Sequence, residues 1–223
     1  MDEETDVIIR ISPRQGSVTV EEDDHGVLSR KRITADDLIQ CIKHSLQTKG
    51  EEYKSGLLPP NTLSVTQCKE RMKLVLWYPR LHADISLYDT PYPQFPIPRL
   101  VFGFDLSNEG KVFNCRIGVV ADETPSPDTP MYHYPFSNVF PGTGNLCVGA
   151  NSLPIYKKKH KAVNLPAFLL SIPNNMDNYS KANNRMGMDY RELMEHLKDK
   201  EPAYYYSDVL IPNGCTLGQF IAK

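Results

Sequence analysis

MYHYPFSNVFPGTGNLCVG, residues 131–149, is the stretch on which the reading of this chain turns. It sets one cysteine, Cys147, inside a loop rich in glycine and asparagine, shortly after an apolar segment that ends in Asn138. Gly142, Gly144 and Gly149 give that loop a backbone that tolerates positive φ and the close approach of another group. Asn138 and Asn145 are neutral amide donors of the kind that face an oxyanion beside a reacting sulfur. A second reading makes Leu146, Cys147 and Val148 the end of a short buried strand, because free cysteine is among the most buried residue types. Asn138 also has two readings, oxyanion donor or an amide that locks the loop by bonding nearby backbone.

The residues before this stretch read as strands. LSVTQ, KLVLWY, ADISLY, LVFGFDL and VFNCRIGVV, between Thr62 and Val120, are rich in β-branched and aromatic residues. SNEG at 107–110 joins the last two as a hairpin, and the short connections predict an antiparallel meander of about four strands within residues 70–121. After the loop come a basic cluster, KKKHK at 157–161, and a short helix over 163–172 with Pro166 in its first turn. A further helix over 188–199 puts Tyr190, Leu193, Met194 and Leu197 on one face, and the tail YYYSDVLIP reads as a returning strand.

At the other end, DVIIRI (6–11) and SVTVE (17–21) alternate as strands, with PRQG and EEDDHG as turns. Thr34 caps a helix whose first turn holds Asp36 and Asp37, with Ile33 and Leu38 at the staple positions. Leu38, Ile42 and Leu46 continue its apolar face until TKGEEYKSGLLPPN ends it. The expected organisation is an α+β protein in which a strand and helix extension, residues 1–60, precedes a larger domain, residues 61–223.

Composition narrows the function classes. Of 223 residues 40% are hydrophobic and 23% charged, enough apolar content for a core. A net charge of −2 offers no global attraction for nucleic acid or an anionic membrane. The first residues, MDEETD, are acidic where a secretory signal is basic, and no apolar run nears the ~20 residues of a membrane span, so a cytoplasmic protein is expected. The five cysteines are odd in number, widely spaced and without a CxxC pair, which points to reduced thiols rather than disulfides, zinc or another cofactor. The eighteen prolines cluster in PYPQFPIP and TPSPDTPMYHYP and predict shaped connections there.

Other candidates carry weaker chemistry. His133 has two readings, partner of Cys147 in a thiol hydrolase or a packed, hydrogen-bonded histidine. His160, within KKKHK, belongs to a solvated charged face or to a dock for an acidic partner. Cys147, His133 and His160 lack zinc-ligand spacing. Cys41, on the apolar side of the first helix, Cys115, in a strand, and Trp77 are assigned to the core. Tyr132, Tyr134 and Phe136 read as alternating strand residues rather than a nucleotide platform.

NVFPGTGNLCVG resembles the active-site region of ubiquitin-conjugating enzymes, where an Asn and β-branched pair precedes a glycine-containing turn and an apolar residue directly before the catalytic cysteine. Asn138 and Val139 match the first part; Gly142 or Gly144, Leu146 and Cys147 match the second. YPFSNVF, NLCVG, LVLWYP at 74–79 and PIPRLVF at 96–102 are similar to a bacterial branch, prokaryotic ubiquitin-conjugating-like family D, which includes protein B of the PRTRC system. Better-known members carry a His-Pro-Asn run where this chain reads Tyr134 to Asn138; the Asn carries over and the His does not. The resemblance covers about residues 70–175. It implies a ubiquitin-conjugating-like meander with flanking helices and a thioester on Cys147, with Asn138 at the oxyanion and Asn145 or His133 as accessory groups. The implied partners are a ubiquitin-like modifier, an adenylating enzyme that loads Cys147, and a metal-dependent isopeptidase encoded nearby.

The residues themselves permit this chemistry. A thiol with the usual pKa of about 8.5 is partly ionised at neutral pH, so an acyl carrier works without a dedicated base. Two alternatives stand beside the transferase: a non-catalytic module of the same fold that holds a modifier or scaffolds a complex, and a cysteine hydrolase using Cys147 and His133.

Overall fold

A computed structural model of the chain describes residues 7–12, 17–24, 27–46, 55–68, 70–121, 123–140 and 142–223. It divides into two compact units, Met1–Lys54 and Ser55–Lys223. In the first, β1 (Val7–Ser12), β2 (Ser17–Asp24) and β3 (Val27–Ile33) form an antiparallel sheet in that order, followed by α1 (Ala35–Leu46). Val18 stands opposite both Ile11 and Ile33, and Ile9 opposite Val20, so the pleat collects β-branched residues on one face. On the other, Glu21 lies between Arg10 at 3.3 Å and Arg30 at 3.2 Å. Thr34 caps α1: its Oγ1 accepts the Asp37 N–H at 3.1 Å, and the Asp37 carboxylate accepts the Thr34 N–H at 3.2 Å.

Two expectations fail in this unit. EEDDHG is not all turn, because β2 runs on through Asp24. Cys41 is exposed rather than core, since a single helix over three strands buries little; Val18 is the only buried hydrophobic among the unit's described residues. The expected turn PRQG, the end of EEDDHG and the break at 47–54 lie outside the described residues.

The larger unit holds β4 (Thr62–Gln67), β5 (Arg71–Tyr78), β6 (Leu81–Leu87), β7 (Thr90–Ile97), β8 (Leu100–Ser107), β9 (Val112–Val120) and β10 (Pro130–Tyr132). They are followed by α2 (Leu165–Leu170), α3 (Tyr190–Leu197), β11 (Pro212–Thr216) and α4 (Leu217–Ala222). The main sheet is antiparallel in the order β11-β10-β9-β8-β5-β4, and β6 and β7 make a separate hairpin. The expected meander is therefore interrupted, since β5 pairs with β8 and not with β6. PYPQFPIP, expected as a connection, forms most of β7. Its prolines are tolerated because β7 pairs on one side only, and a bulge opens where Gln94, at φ 50°, donates its N–H to Asp84 Oδ1 at 2.9 Å. The tail differs too: Tyr205–Val209 is a wide helical turn that sends the buried Tyr205 hydroxyl to the Pro96 carbonyl at 2.9 Å, and the strand comes later as β11.

Alternation along the strands divides the apolar residues between two faces. Leu74, Phe102, Phe104, Ile117 and Val119 meet Leu165 of α2 and Leu193, Met194 and Leu197 of α3. Val75, Val101 and Val120 meet Leu217 and Phe220 of α4. Trp77, expected in the core, is only half-buried, with the Arg99 guanidinium 6.0 Å from its ring. Nor do Tyr134 and Phe136 continue a strand, because β10 stops at Tyr132. They turn inward instead: the Phe136 ring meets those of Tyr134 at 5.2 Å and of Phe95 and Tyr205 at 5.9 Å, all edge-on.

Phe136 is thus the packed floor beneath Asn138. Phe136→Ala is expected to lower the unfolding free energy by about 3–5 kcal/mol, the usual range for emptying a buried aromatic site. Urea denaturation measures it, and a loss under about 1 kcal/mol would show that this floor is not packed as described.

Candidate active site

Cys147 is placed by β9. The Leu146 N–H donates to the Cys115 carbonyl and the Ile117 N–H donates to the Gly144 carbonyl, both at 2.8 Å, so residues 144–146 lie along β9 as a short added strand. Leu146 and Val148 pack on the core, and the period of two turns Asn145 and Cys147 the other way. Cys147 is half-buried.

Residues 138–140 and 142–147 pair with each other in a small hairpin-like arrangement. Val139 bridges Leu146, the Phe140 N–H donates to the Asn145 carbonyl at 2.9 Å, and the Cys147 N–H donates to the Asn138 carbonyl at 2.7 Å. The tip is closed by Thr143, whose Oγ1 bonds the Phe140 carbonyl at 3.0 Å and accepts the Asn145 N–H at 3.1 Å. Gly144 has φ 72°, and a Cβ there would lie 3.2 Å from the Ile117 carbonyl oxygen, so glycine permits both the turn and the close approach to β9. Asn138 has φ 62°, a left-handed conformation that asparagine adopts more readily than most residues.

The Asn138 side chain is committed as well. Its Nδ2 donates to the Pro173 carbonyl at 3.1 Å, in the loop between α2 and α3. The next residue, Asn174, accepts a hydrogen bond from Ser137 Oγ at 3.2 Å. The sequence assigns no role to Pro173, Asn174 or Ser137. The adjacency of Ser137 to Asn138 and the PNN run at 173–175 were the only signals available.

Asn138 and Cys147 are brought together; His133 and Cys147 are not. The His133 ring lines a cavity of about 120 Å³ with Asn213, Cys215 and Phe140, and Cys147 is not part of that wall. Among the described residues His133 makes no side-chain hydrogen bond, and its backbone N–H donates to the Ile211 carbonyl at 3.0 Å. The Asn145 side chain likewise has no hydrogen bond among the described residues, on the same side of the chain as Cys147. His160 is half-buried in a 3-10 turn over Lys159–Asn164, and the segment leading into it is tied to the β8–β9 hairpin by the Tyr156 N–H donating to the Gly110 carbonyl at 2.8 Å. No group of three or more His, Cys, Asp or Glu among the described residues can hold a metal ion, and no described helix is long and apolar enough to cross a membrane.

Compared with protein-family profiles, residues 38–213 match Prokaryotic E2 family D. The chain belongs to this family. Membership places it in ubiquitin-conjugating-like chemistry, with a ubiquitin-like modifier and an activating enzyme as the general partners. The matched residues begin within α1, so the β1–β3 sheet lies before them. Comparison with curated proteins and with solved structures returned no match.

Burial separates the thiols. It pushes Cys115 up to about 12, with the Asp105 carboxylate adding to the shift. Iodoacetamide at pH 8 is therefore expected to label Cys147 in the native protein and leave Cys115 untouched, because the thiolate is the nucleophile. Cys115→Ala should flatten a loss of stability that begins near the ordinary thiol pKa and grows towards pH 12, since there the unfolded chain releases a proton the folded chain retains. Peptide mapping and melts across pH 8 to 10 check both; native labelling of Cys115 ahead of Cys147 would reverse the assignment.

Proposed function

We propose that this protein is an acyl carrier of the ubiquitin-conjugating type, holding the C-terminus of a ubiquitin-like protein as a thioester on Cys147. The observation that carries the reading is the joining of Cys147 to Asn138, main chain to main chain at 2.7 Å, on a loop outside the core. In the loading step the Cys147 thiolate attacks a modifier carboxyl activated as an adenylate; the C–S bond forms and AMP leaves. In the second step an acceptor amine attacks the thioester carbon, the C–N bond forms, the C–S bond breaks to return the thiolate, and the amine proton passes to solvent.

Each step passes through a tetrahedral oxyanion. The Pro173 carbonyl takes one N–H of the Asn138 amide and sets its plane, leaving the second N–H as a donor held in advance of the reaction. The loop-locking and oxyanion roles of Asn138 are then one arrangement. The hydrolase reading lacks its central contact, a hydrogen bond between His133 and Cys147.

The test combines the protein with the adenylating enzyme and modifier of its own host, with ATP, on gels with and without reductant. Cys147→Ser is expected to abolish the reductant-sensitive band. Asn138→Ala should slow discharge to an amine by about 100- to 1000-fold, the usual effect of removing one oxyanion donor, and preserve loading more than discharge if the amide serves mainly the second transfer. His133→Ala should change neither step. If no Cys147-dependent thioester forms with those partners, the transferase reading falls and a modifier-binding module of the same fold replaces it.

A further inference from the structure

Asn138 holds Cys147, and the structure also contains what holds Asn138. Ser137 is 0% exposed and Asn174 7% exposed, and the Ser137 hydroxyl donates to Asn174 Oδ1 at 3.2 Å within the interior. Every other polar group of Asn174 is spent on the β6 end of the hairpin. Its Nδ2 donates to the Ser86 carbonyl at 3.2 Å, its N–H donates to the same carbonyl at 2.8 Å, and its carbonyl accepts the Tyr88 N–H at 2.7 Å. Two adjacent pairs of residues, 137–138 and 173–174, are therefore clasped: Ser137 to Asn174, and Asn138 to Pro173. Beside Ser137 the buried Tyr190 hydroxyl makes no well-formed hydrogen bond, yet it lies close enough for Ser137 to offset part of the rise that burial gives its pKa, so it is a second group within reach of Ser137.

We infer that Asn174, acting through Ser137, is a positioning residue that sets the Asn138 amide at the reacting centre, an inference that rests on the acyl-carrier reading. A left-handed asparagine persists where its surroundings over-determine it. The Ser137–Asn174 hydrogen bond is such a constraint, because breaking it leaves buried polar groups to be paired again away from water. A void of about 20 Å³ lies beside Asn138, bordered by Leu146, Ile172 and Asn174, so a released amide has room to swing away from its donor position.

The test uses a small thioester in place of the modifier. N-acetylglycine esterified to 2-mercaptoethanesulfonate passes its acyl group to Cys147, forming the new C–S bond as the sulfonate thiolate leaves. Free lysine then removes it, forming a C–N bond and releasing the Cys147 thiolate, with the amine proton going to solvent. Mass spectrometry follows both steps. Asn174→Ala and Ser137→Ala are expected to slow aminolysis at saturating lysine by about 10- to 100-fold with little change in the lysine concentration at half-rate. Alkylation of Cys147 by iodoacetamide, which forms no oxyanion, should stay within about 3-fold of wild type, and Asn174→Ala should add nothing to Asn138→Ala. Ser137→Ala removes a single oxygen and keeps the test open if Asn174→Ala does not fold. The inference fails by itself if Asn138→Ala slows aminolysis while both other variants discharge at the wild-type rate, if alkylation slows as much as aminolysis, or if the effects add. If the wild-type chain takes no acyl group on Cys147, the carrier reading falls and this inference with it.

Discussion

Two backbone hydrogen bonds hold the loop of residues 138–147 to the sheet, Leu146 to Cys115 and Gly144 to Ile117, each 2.8 Å long. The local arrangement depends on them. Extended pairing imposes a period of two, so once Leu146 packs on the core, Cys147 must face away from it. A shift of one residue would bury the sulfur and expose the leucine. Glycines that allow the tight turn would, without that pairing, leave the loop free to take many shapes. The half-exposure of Cys147 is thus a consequence of sheet register and not of the loop's composition.

The interior around the loop is polar in places, and several of those groups are paired, although the Tyr190 hydroxyl and Arg116 Nε are not. Asp105, almost fully buried, accepts from Arg71 and Asn114 at 3.1 Å each. The Arg116 guanidinium donates to the Phe220 carbonyl at 2.9 Å and lies over that residue's ring. Ser137 and Asn174 answer each other. Away from water such groups are costly alone and directional together, so they specify one arrangement of loop and sheet where apolar packing would accept several. Phe136 supplies the complementary constraint: its ring is fixed by three others, and the backbone that follows it, Ser137 and Asn138, starts from a rigid point.

Much of the frame was legible in the residues. Thr34 as a cap, Pro166 in the first turn of α2, the shared face of Tyr190, Leu193, Met194 and Leu197, and the Ser107–Gly110 hairpin all follow from interactions spanning one to four positions. The failures share a cause. PYPQFPIP reads as a shaped connection from its clustered prolines and interleaved aromatics, yet a strand paired on one side tolerates the ladder donors that proline lacks. Cys41 lies on the apolar side of α1, and the expected burial did not follow because the small β1–β3 sheet gives that helix little to pack against. The tail became a wide turn because the Tyr205 hydroxyl reaches a carbonyl 109 residues away.

The amino-acid sequence by itself pointed to the family and to Asn138 and Cys147 as candidate site residues, because those signals lie within a dozen neighbouring residues. Tertiary structure alone decided that His133 opens onto a different cavity, that the Asn138 amide ends on Pro173, and that Ser137 meets Asn174. These last two contacts close over 35 and 37 residues and depend on where α2 delivers the chain. No local pattern encodes that meeting, since it exists only when the sheet and the helices are packed together.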